Sequence, residues 1–264
     1  MKEAKRNSNN QSAWENFKKW WNTHREIEEW SDLKVELKEH PVFSQAMEKA
    51  DSLITVLNMR TMKSLHWSGN IQEFTGWEGT TFADGGIQFA HSCIHPEDAP
   101  GIHLFSEKMN RYYETLNEPE KLNYQDYLDF RARRQDGTYQ RILQRGSVLK
   151  HDHQGSMAVL LLFLIKITHH KSDRAMHLRL TNGNENQLFE YLPDKKSFGE
   201  LSCPSVREIE VFRLISQGYE RTDVAKKLGI SLATVKTHCH HTYKKLRVND
   251  SIEAISLLKL FSFL

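Results

Sequence analysis

"FRARRQDGTYQRILQRGSVLKHDHQGSMAVLLLFLIKIT", residues 130–168, decides how most of this chain folds. Three extended, apolar-rich runs are separated by two turn clusters, Gln135-Asp136-Gly137 and His151-Asp152-His153-Gln154-Gly155. An Asp-Gly turn between two extended runs is a hairpin signal. The third run contains "MAVLLLFLI", residues 157–165, the longest apolar stretch in the chain. A helix that spans a bilayer needs roughly 20 residues. The run is therefore a buried strand, and no membrane partner is expected.

Upstream, "SLITVLNM" and "SLHWSG" are two more short runs of β type. Helical pieces around "IQEFTGW" and "FAHSCIHPEDAPGIHLFSEKMNRYYETL" separate them from the meander. Two strands, then helices, then a three-stranded meander describe an α+β domain with helices flanking one face of an antiparallel sheet. Residues 48–170 are assigned to it. Residues 171–200 read as a connection with a small hairpin around Asn182-Gly183. Residues 12–47 read as an N-terminal amphipathic helical segment, with Trp14, Phe17, Trp21, Ile27, Trp30, Leu33 and Leu37 at steps of three or four, apart from one gap across His24. It should stop before Pro41, and a short helix should follow from residue 42. Such an aromatic stripe either packs on its own domain or meets a partner.

With 264 residues, 36 Lys or Arg and 34 Asp or Glu, the chain is nearly balanced in charge. One or two domains are expected. Cys93, Cys203 and Cys239 are odd in number and far apart, so a disulfide framework is not expected. The N-terminus lacks an apolar leader core, and the expected location is the cytoplasm. There is no nucleophile elbow, phosphate loop, kinase motif or carboxylate pair, so the chain is not expected to be an enzyme.

The balance breaks in one place. Between Asp223 and Asp250 there are six Lys or Arg residues and no Asp or Glu. The surrounding residues, 201–264, are helical in texture. Ser205-Val206-Arg207-Glu208 is a capping box that starts one helix. "TDVAKKL" is a shorter helix ending at Gly229, and Ser231 caps the next. Two helices joined by a tight turn containing glycine form a helix-turn-helix. On a wheel of about 100° per residue, Val235, Cys239, Thr242 and Leu246 point inward. Ala233, Lys236, Thr237, His240, His241 and Lys244 point outward, with His238 and Lys245 at the boundary. The outward face is basic, hydrogen-bonding and free of carboxylates, which suits a polyanion. A last helix runs from Asp250 to the end, and Leu257, Leu258 and Phe261 are expected to form a dimer face.

Two resemblances follow from these words. Residues 48–170 resemble a PAS domain through "IQEFTGWE", "IHPEDAP", "FRARRQDGTYQRIL" and "FLIKITHHK". Arg141 stands where that family usually has Trp, and Lys166 where it usually has Asp. Residues 201–256 resemble a LuxR-type (NarL-type) helix-turn-helix domain through "REIEVFRLISQGY", "DVAKKLGIS", "TVKTH", "KKL" and "EAI". The second resemblance implies that Lys236, Thr237 and His240 touch an operator and that Ser231 and Thr234 hold phosphate, as helix N-termini do. Two departures stand out: the family usually has Arg or Lys among the positions held here by Cys239-His240-His241, and Glu220 replaces a capping serine. Histidine, with an ordinary pKa of about 6.5, makes DNA binding expected to strengthen as pH falls from about 8 to 6.

The candidate DNA-binding residues are thus Ser231, Thr234, Lys236, Thr237, His240, His241 and Lys244. Phe74, Trp77, Phe130 and Phe163 are candidates to line a cavity in the PAS-like domain, or to fill its core. His66, His91, His95 and His103 are haem-ligand candidates, but capping or surface roles are the ordinary ones, and no cofactor is expected. His238 and His241 lack two further ligands for a tetrahedral metal, so no metal is expected. The reading is a one-component transcription regulator that binds double-stranded promoter DNA as a homodimer. A small molecule or protein would act on the PAS-like domain. The rival is a protein-interaction module whose helix-turn-helix no longer reads DNA.

Overall fold

The computed structural model describes residues 52–68, 70–168, 171 and 173–264. The aromatic segment expected at residues 12–47 lies outside the described residues. So does nearly all of the short helix expected to follow it.

The chain opens with β1 (Leu53–Asn58) and β2 (Lys63–Trp67). Four helices follow: α1 (Ile71–Thr75), α2 (Gly79–Ser92), α3 (Ala99–Thr115) and α4 (Glu118–Leu122). The quoted stretch then folds as a meander of β3 (Gln125–Arg133), β4 (Tyr139–His151) and β5 (Met157–Lys166). The sheet does not stop at residue 170. Strands β6 (Met176–Thr181), β7 (Asn186–Leu192) and β8 (Ser197–Leu201) continue it beyond β3. The order across the eight strands is β2-β1-β5-β4-β3-β6-β7-β8, and every pairing is antiparallel.

Strand parity explains why the connection became sheet. Met176, Leu178 and Leu180 alternate on β6 and enter the core under the helices, as do Phe189 and Tyr191 on β7. The intervening His177, Arg179 and Glu190 are polar yet buried, because a second layer covers them. Gly101 lets α3 approach this extension. A Cβ there would stand 2.5 Å from the Tyr191 ring.

The second layer is helical: α5 (Val206–Ser216), α6 (Arg221–Leu228), α7 (Leu232–Leu246) and α8 (Ser251–Leu260). One apolar core lies between the sheet and α1–α3. The other joins Tyr127, Leu143, Leu188 and Leu201 of the opposite sheet face to Phe212, Val235, Leu258 and Phe261 of the helical domain. "MAVLLLFLI" is continuous rather than alternating because apolar groups meet both faces of its strand. The last helix is shorter than the sequence suggested. It ends at Leu260, and residues 261–264 turn back onto the sheet.

The two PAS-like words clasp each other. Asp98 of the His-Pro-Glu-Asp turn is fully buried and accepts hydrogen bonds from the Arg131 backbone N–H (2.8 Å) and Nε (3.1 Å). Arg134 reaches back to the carbonyl of Phe74 at 2.9 Å. Arg141 enters a buried ion cluster. It and Lys171 both bind the Asp129 carboxylate, with Lys171 Nζ at 2.8 Å from Oδ2. Arg141 also holds the carbonyls of Asp173 and Ala175, which fixes the entry into β6. Burial alone would push the Asp129 carboxyl up. Lys171, Arg141 and His177 together hold it well below the usual carboxylate range.

Candidate nucleic-acid interface

Local sequence chemistry builds the interface. Ser205 and Glu208 form the capping box: the Ser205 Oγ accepts from the Glu208 N–H at 3.3 Å, and the Glu208 carboxylate accepts from the Ser205 N–H at 2.6 Å. Glu220 sits at the N-cap of α6, but its side chain caps nothing. Gly229 ends α6 in the left-handed region at φ 62°, and Ser231 starts α7 two residues later. The Ser231 Oγ accepts from the Thr234 N–H at 3.0 Å and lies 2.8 Å from the Thr234 hydroxyl. Tyr243 and Ser251 share a 2.6 Å hydrogen bond, and Arg221 donates to both, which ties α6, α7 and α8 together.

Val235, Cys239, Thr242 and Leu246 are buried on α7. Ser231, Thr234, Lys236, Thr237, His240, His241 and Lys244 are exposed. The Thr237 hydroxyl donates back to the Ala233 carbonyl at 3.0 Å, so its oxygen remains an acceptor. Cys239, the first residue of the departing Cys-His-His segment, is inside and leaves the outer face to the two histidines.

The acid-free run is less uniform in space than in sequence. Lys245 Nζ lies 2.7 Å from buried Glu208, and Arg247 NH1 lies 2.7 Å from buried Glu190 of β7. Lys226 faces Asp223 at 3.5 Å, and Lys227 lies over the Tyr219 ring. Among the described residues, Lys236 and Lys244 are the members of the run with neither a carboxylate in ion-pair reach nor an aromatic ring. Both stand on the outer face of α7. Sequence reasoning missed this sorting, because Glu208 and Glu190 are far away along the chain.

Leu257, Leu258 and Phe261 require a correction. They are buried in the chain's own core, against the sheet face that carries Tyr127 and Leu143, rather than presented as a dimer face. Arg179 of β6 secures them. Its guanidinium donates to the carbonyls of Phe261 and Ser262 at the end of α8, the second at 2.9 Å, and lies 4.3 Å from the Phe263 ring centroid. The apolar residues of the last helix are legible in the sequence, but their partner is not.

A second site lies between the sheet and α2 and α3. A cavity of about 160 Å³ is walled by apolar side chains such as Leu57, Met59, Leu128, Phe130 and Leu160, with Thr55, His91, Ser106 and Gln144 as its polar members. Of the four aromatics expected there, Phe130 lines it. Phe74 is buried in the core on α1, with Lys166 Nζ 4.7 Å over its ring, and Trp77 packs edge-on to Phe89 at 5.3 Å. Phe163 is on the wrong face. Leu160, Leu162 and Leu164 alternate into the cavity, while Phe163 pairs across the sheet with Arg145. Period-2 parity alone would have found this. Burial, with His103 beside it, pushes the His91 imidazole down to about 4, so it faces the cavity uncharged.

Residues 205–258 match the family described as "Bacterial regulatory proteins, luxR family", and residues 64–161 match "PAS fold". Among curated proteins, the chain is 29% identical over 115 residues to "Oxygen regulatory protein NreC" of Staphylococcus haemolyticus, covering 42% of this chain and 50% of that protein. It is 39% identical over 57 residues to "Uncharacterized transcriptional regulatory protein YxjL" of Bacillus subtilis, covering 21% of this chain and 26% of that one. The chain therefore spans half or less of these relatives. A solved structure of the Vibrio cholerae VqmA dimer, in a study of LuxR-type receptors, aligns at 14% identity and TM-score 0.33, covering 83% of this chain and 86% of that chain. The chain thus carries a PAS fold and, after it, a LuxR-family helix-turn-helix. No described helix is long and apolar enough to cross a membrane.

Proposed function

We propose that this chain is a one-component transcription regulator whose helix-turn-helix reads double-stranded promoter DNA through the outer face of α7. The observation that carries this is the sorting of charge. The helical domain directs its other basic residues of the acid-free run to acids or a ring, and leaves Lys236 and Lys244 outward beside Thr237, His240 and His241. Lys, Thr and His suit phosphate oxygens and base edges in a major groove. Ser231 and Thr234 present hydroxyls at the N-terminus of the same helix, where phosphate is favoured.

The PAS fold is the sensory half of this reading. A cavity of about 160 Å³ matches the size of an engineered cavity of about 150 Å³ that takes benzene. Its ligand is therefore a small, mostly apolar molecule. A two-fold operator calls for a homodimer. In this arrangement a second copy reaches the apolar face of α8 only after the helical domain leaves the sheet.

The test is fluorescence anisotropy on DNA from upstream of the chain's own gene, against scrambled DNA, over a salt series. Preference for the upstream fragment, with log affinity falling linearly in log salt, supports the reading. Lys236→Ala should weaken binding by about 1 kcal/mol or more. An unchanged affinity in that variant would favour an interaction module over a DNA reader.

A further inference from the structure

The polar side chains of the cavity differ in what they can offer a ligand. Thr55 already donates its hydroxyl to the His66 carbonyl at 2.9 Å. Ser106 has a rotatable hydroxyl that serves as donor or acceptor, so it does not discriminate. Gln144 is different, because its amide is oriented from behind. Its Nε2 donates to Asp126 Oδ1 at 3.4 Å. A carboxylate accepts and does not donate, so only the NH2 end of the amide can face it. The carbonyl end is left for the cavity, and among the described residues nothing donates to it.

Asp126 is built into its place. It lies on β3 directly opposite Gly146 of β4, with 1% of its surface accessible. A Cβ at residue 146 would collide with both carboxylate oxygens, so the glycine makes room for the acid. Tyr124 is its other neighbour, and Tyr112 and Tyr113 of α3 pack against the Tyr124 ring. Among the described residues no cation pairs with it.

We propose that Gln144, oriented by the buried carboxyl of Asp126, is the specificity-determining group of the cavity and selects a single-ring ligand that carries a hydrogen-bond donor. This rests on reading the cavity as the sensory site. An N–H or O–H placed on the ring edge meets the Gln144 oxygen, while the ring fills the space between Leu128, Phe130, Leu160 and Leu162.

The same geometry makes the preference depend on pH. Burial pushes the Asp126 carboxyl up to about 6, against the opposing pull of the Gln144 hydrogen bond and the nearby Tyr124 hydroxyl. Above that value it is ionised and holds the amide NH2. Below it, the acid becomes a donor, the amide turns, and the NH2 faces the cavity. Acceptor ligands are then favoured. His91 stays uncharged at pH 5 and above, since burial has pushed it down to about 4.

The experiment is calorimetric titration of the full chain with three probes: phenol, which has a donor; benzonitrile, which has only an acceptor; and toluene, which has neither. At pH 8, Gln144→Leu should shift the phenol-to-toluene affinity ratio about fivefold toward toluene, the worth of one hydrogen bond. Toluene binding in the variant reports that the cavity is still formed. From pH 8 to pH 5 the wild-type phenol-to-benzonitrile ratio should fall, and in Asp126→Asn it should stay flat. A phenol-to-toluene ratio that Gln144→Leu leaves unchanged overturns the assignment while the cavity remains a ligand site. Failure of all three probes to bind the wild type overturns both. A fall with pH that persists in Asp126→Asn removes Asp126 from its role.

Discussion

Helices α7 and α8 are neighbours in sequence and opposites in use. The outer face of α7 is basic, hydroxyl-bearing and open to solvent. The apolar face of α8 is closed, with Leu258 and Phe261 fully buried against the sheet. Each helix has one buried side, yet a buried side alone does not say which face does the work. On α7 the function lies in what is left outside; on α8 the packing lies in what is brought inside. A polar face keeps its identity whatever the rest of the chain does. An apolar face needs a partner, and the nearest one here is the chain's own sheet.

The largest effect that would break this contrast is on α8. Phe261→Ala should cost about 3–5 kcal/mol of stability, the usual range for a buried Phe. Urea unfolding measures it. A near-neutral result would mean that α8 is not seated on the sheet. The ion cluster beneath that seat comes next, since His177 stands edge-on to Phe261 at 5.8 Å and next to Asp129 and Lys171. Asp129→Asn leaves Arg141 and Lys171 buried without their counter-ion, and should cost about 3–5 kcal/mol near pH 7. Because the Asp129 carboxyl is held below its unfolded value, its contribution is present above about pH 4 and is lost as pH falls below that. Unfolding midpoints from pH 7 to pH 2 should therefore drop in the wild type and drop less in the variant.

The α7 side predicts smaller numbers and a different readout. Lys236→Ala should weaken DNA binding by about 1 kcal/mol and reduce the salt slope by about one, while its unfolding midpoint matches the wild type. Smaller still should be the effect of replacing both exposed His240 and His241 with Ala, read as a loss of anisotropy-measured affinity below that of Lys236→Ala.

Much of this was legible along the chain, for identifiable reasons. The inward and outward residues of α7, and the caps at Ser205, Ser231 and Asp250, follow from local rules of period and hydrogen bonding. So do the hairpin turns of the meander. Phe163 was misread because an aromatic identity was given more weight than strand parity. The hairpin around Asn182-Gly183 was legible, but its joining of the larger sheet was not, because polar His177, Arg179 and Glu190 alternate with its apolar residues. These polar residues are buried only because a separate domain covers them.

The sequence by itself determined the helix-turn-helix, the face that α7 turns to solvent and the strand-turn-strand rhythm of the PAS fold, because each depends on residues within a few positions of one another. Tertiary structure decided the rest. It paired Lys245 with Glu208 and Arg247 with Glu190. It seated α8 on Tyr127 and Leu143, and set Asp126 behind Gln144 opposite Gly146. Those pairings depend on which strand lies beside which and on which layer covers each face, and distance along the chain carries no record of either.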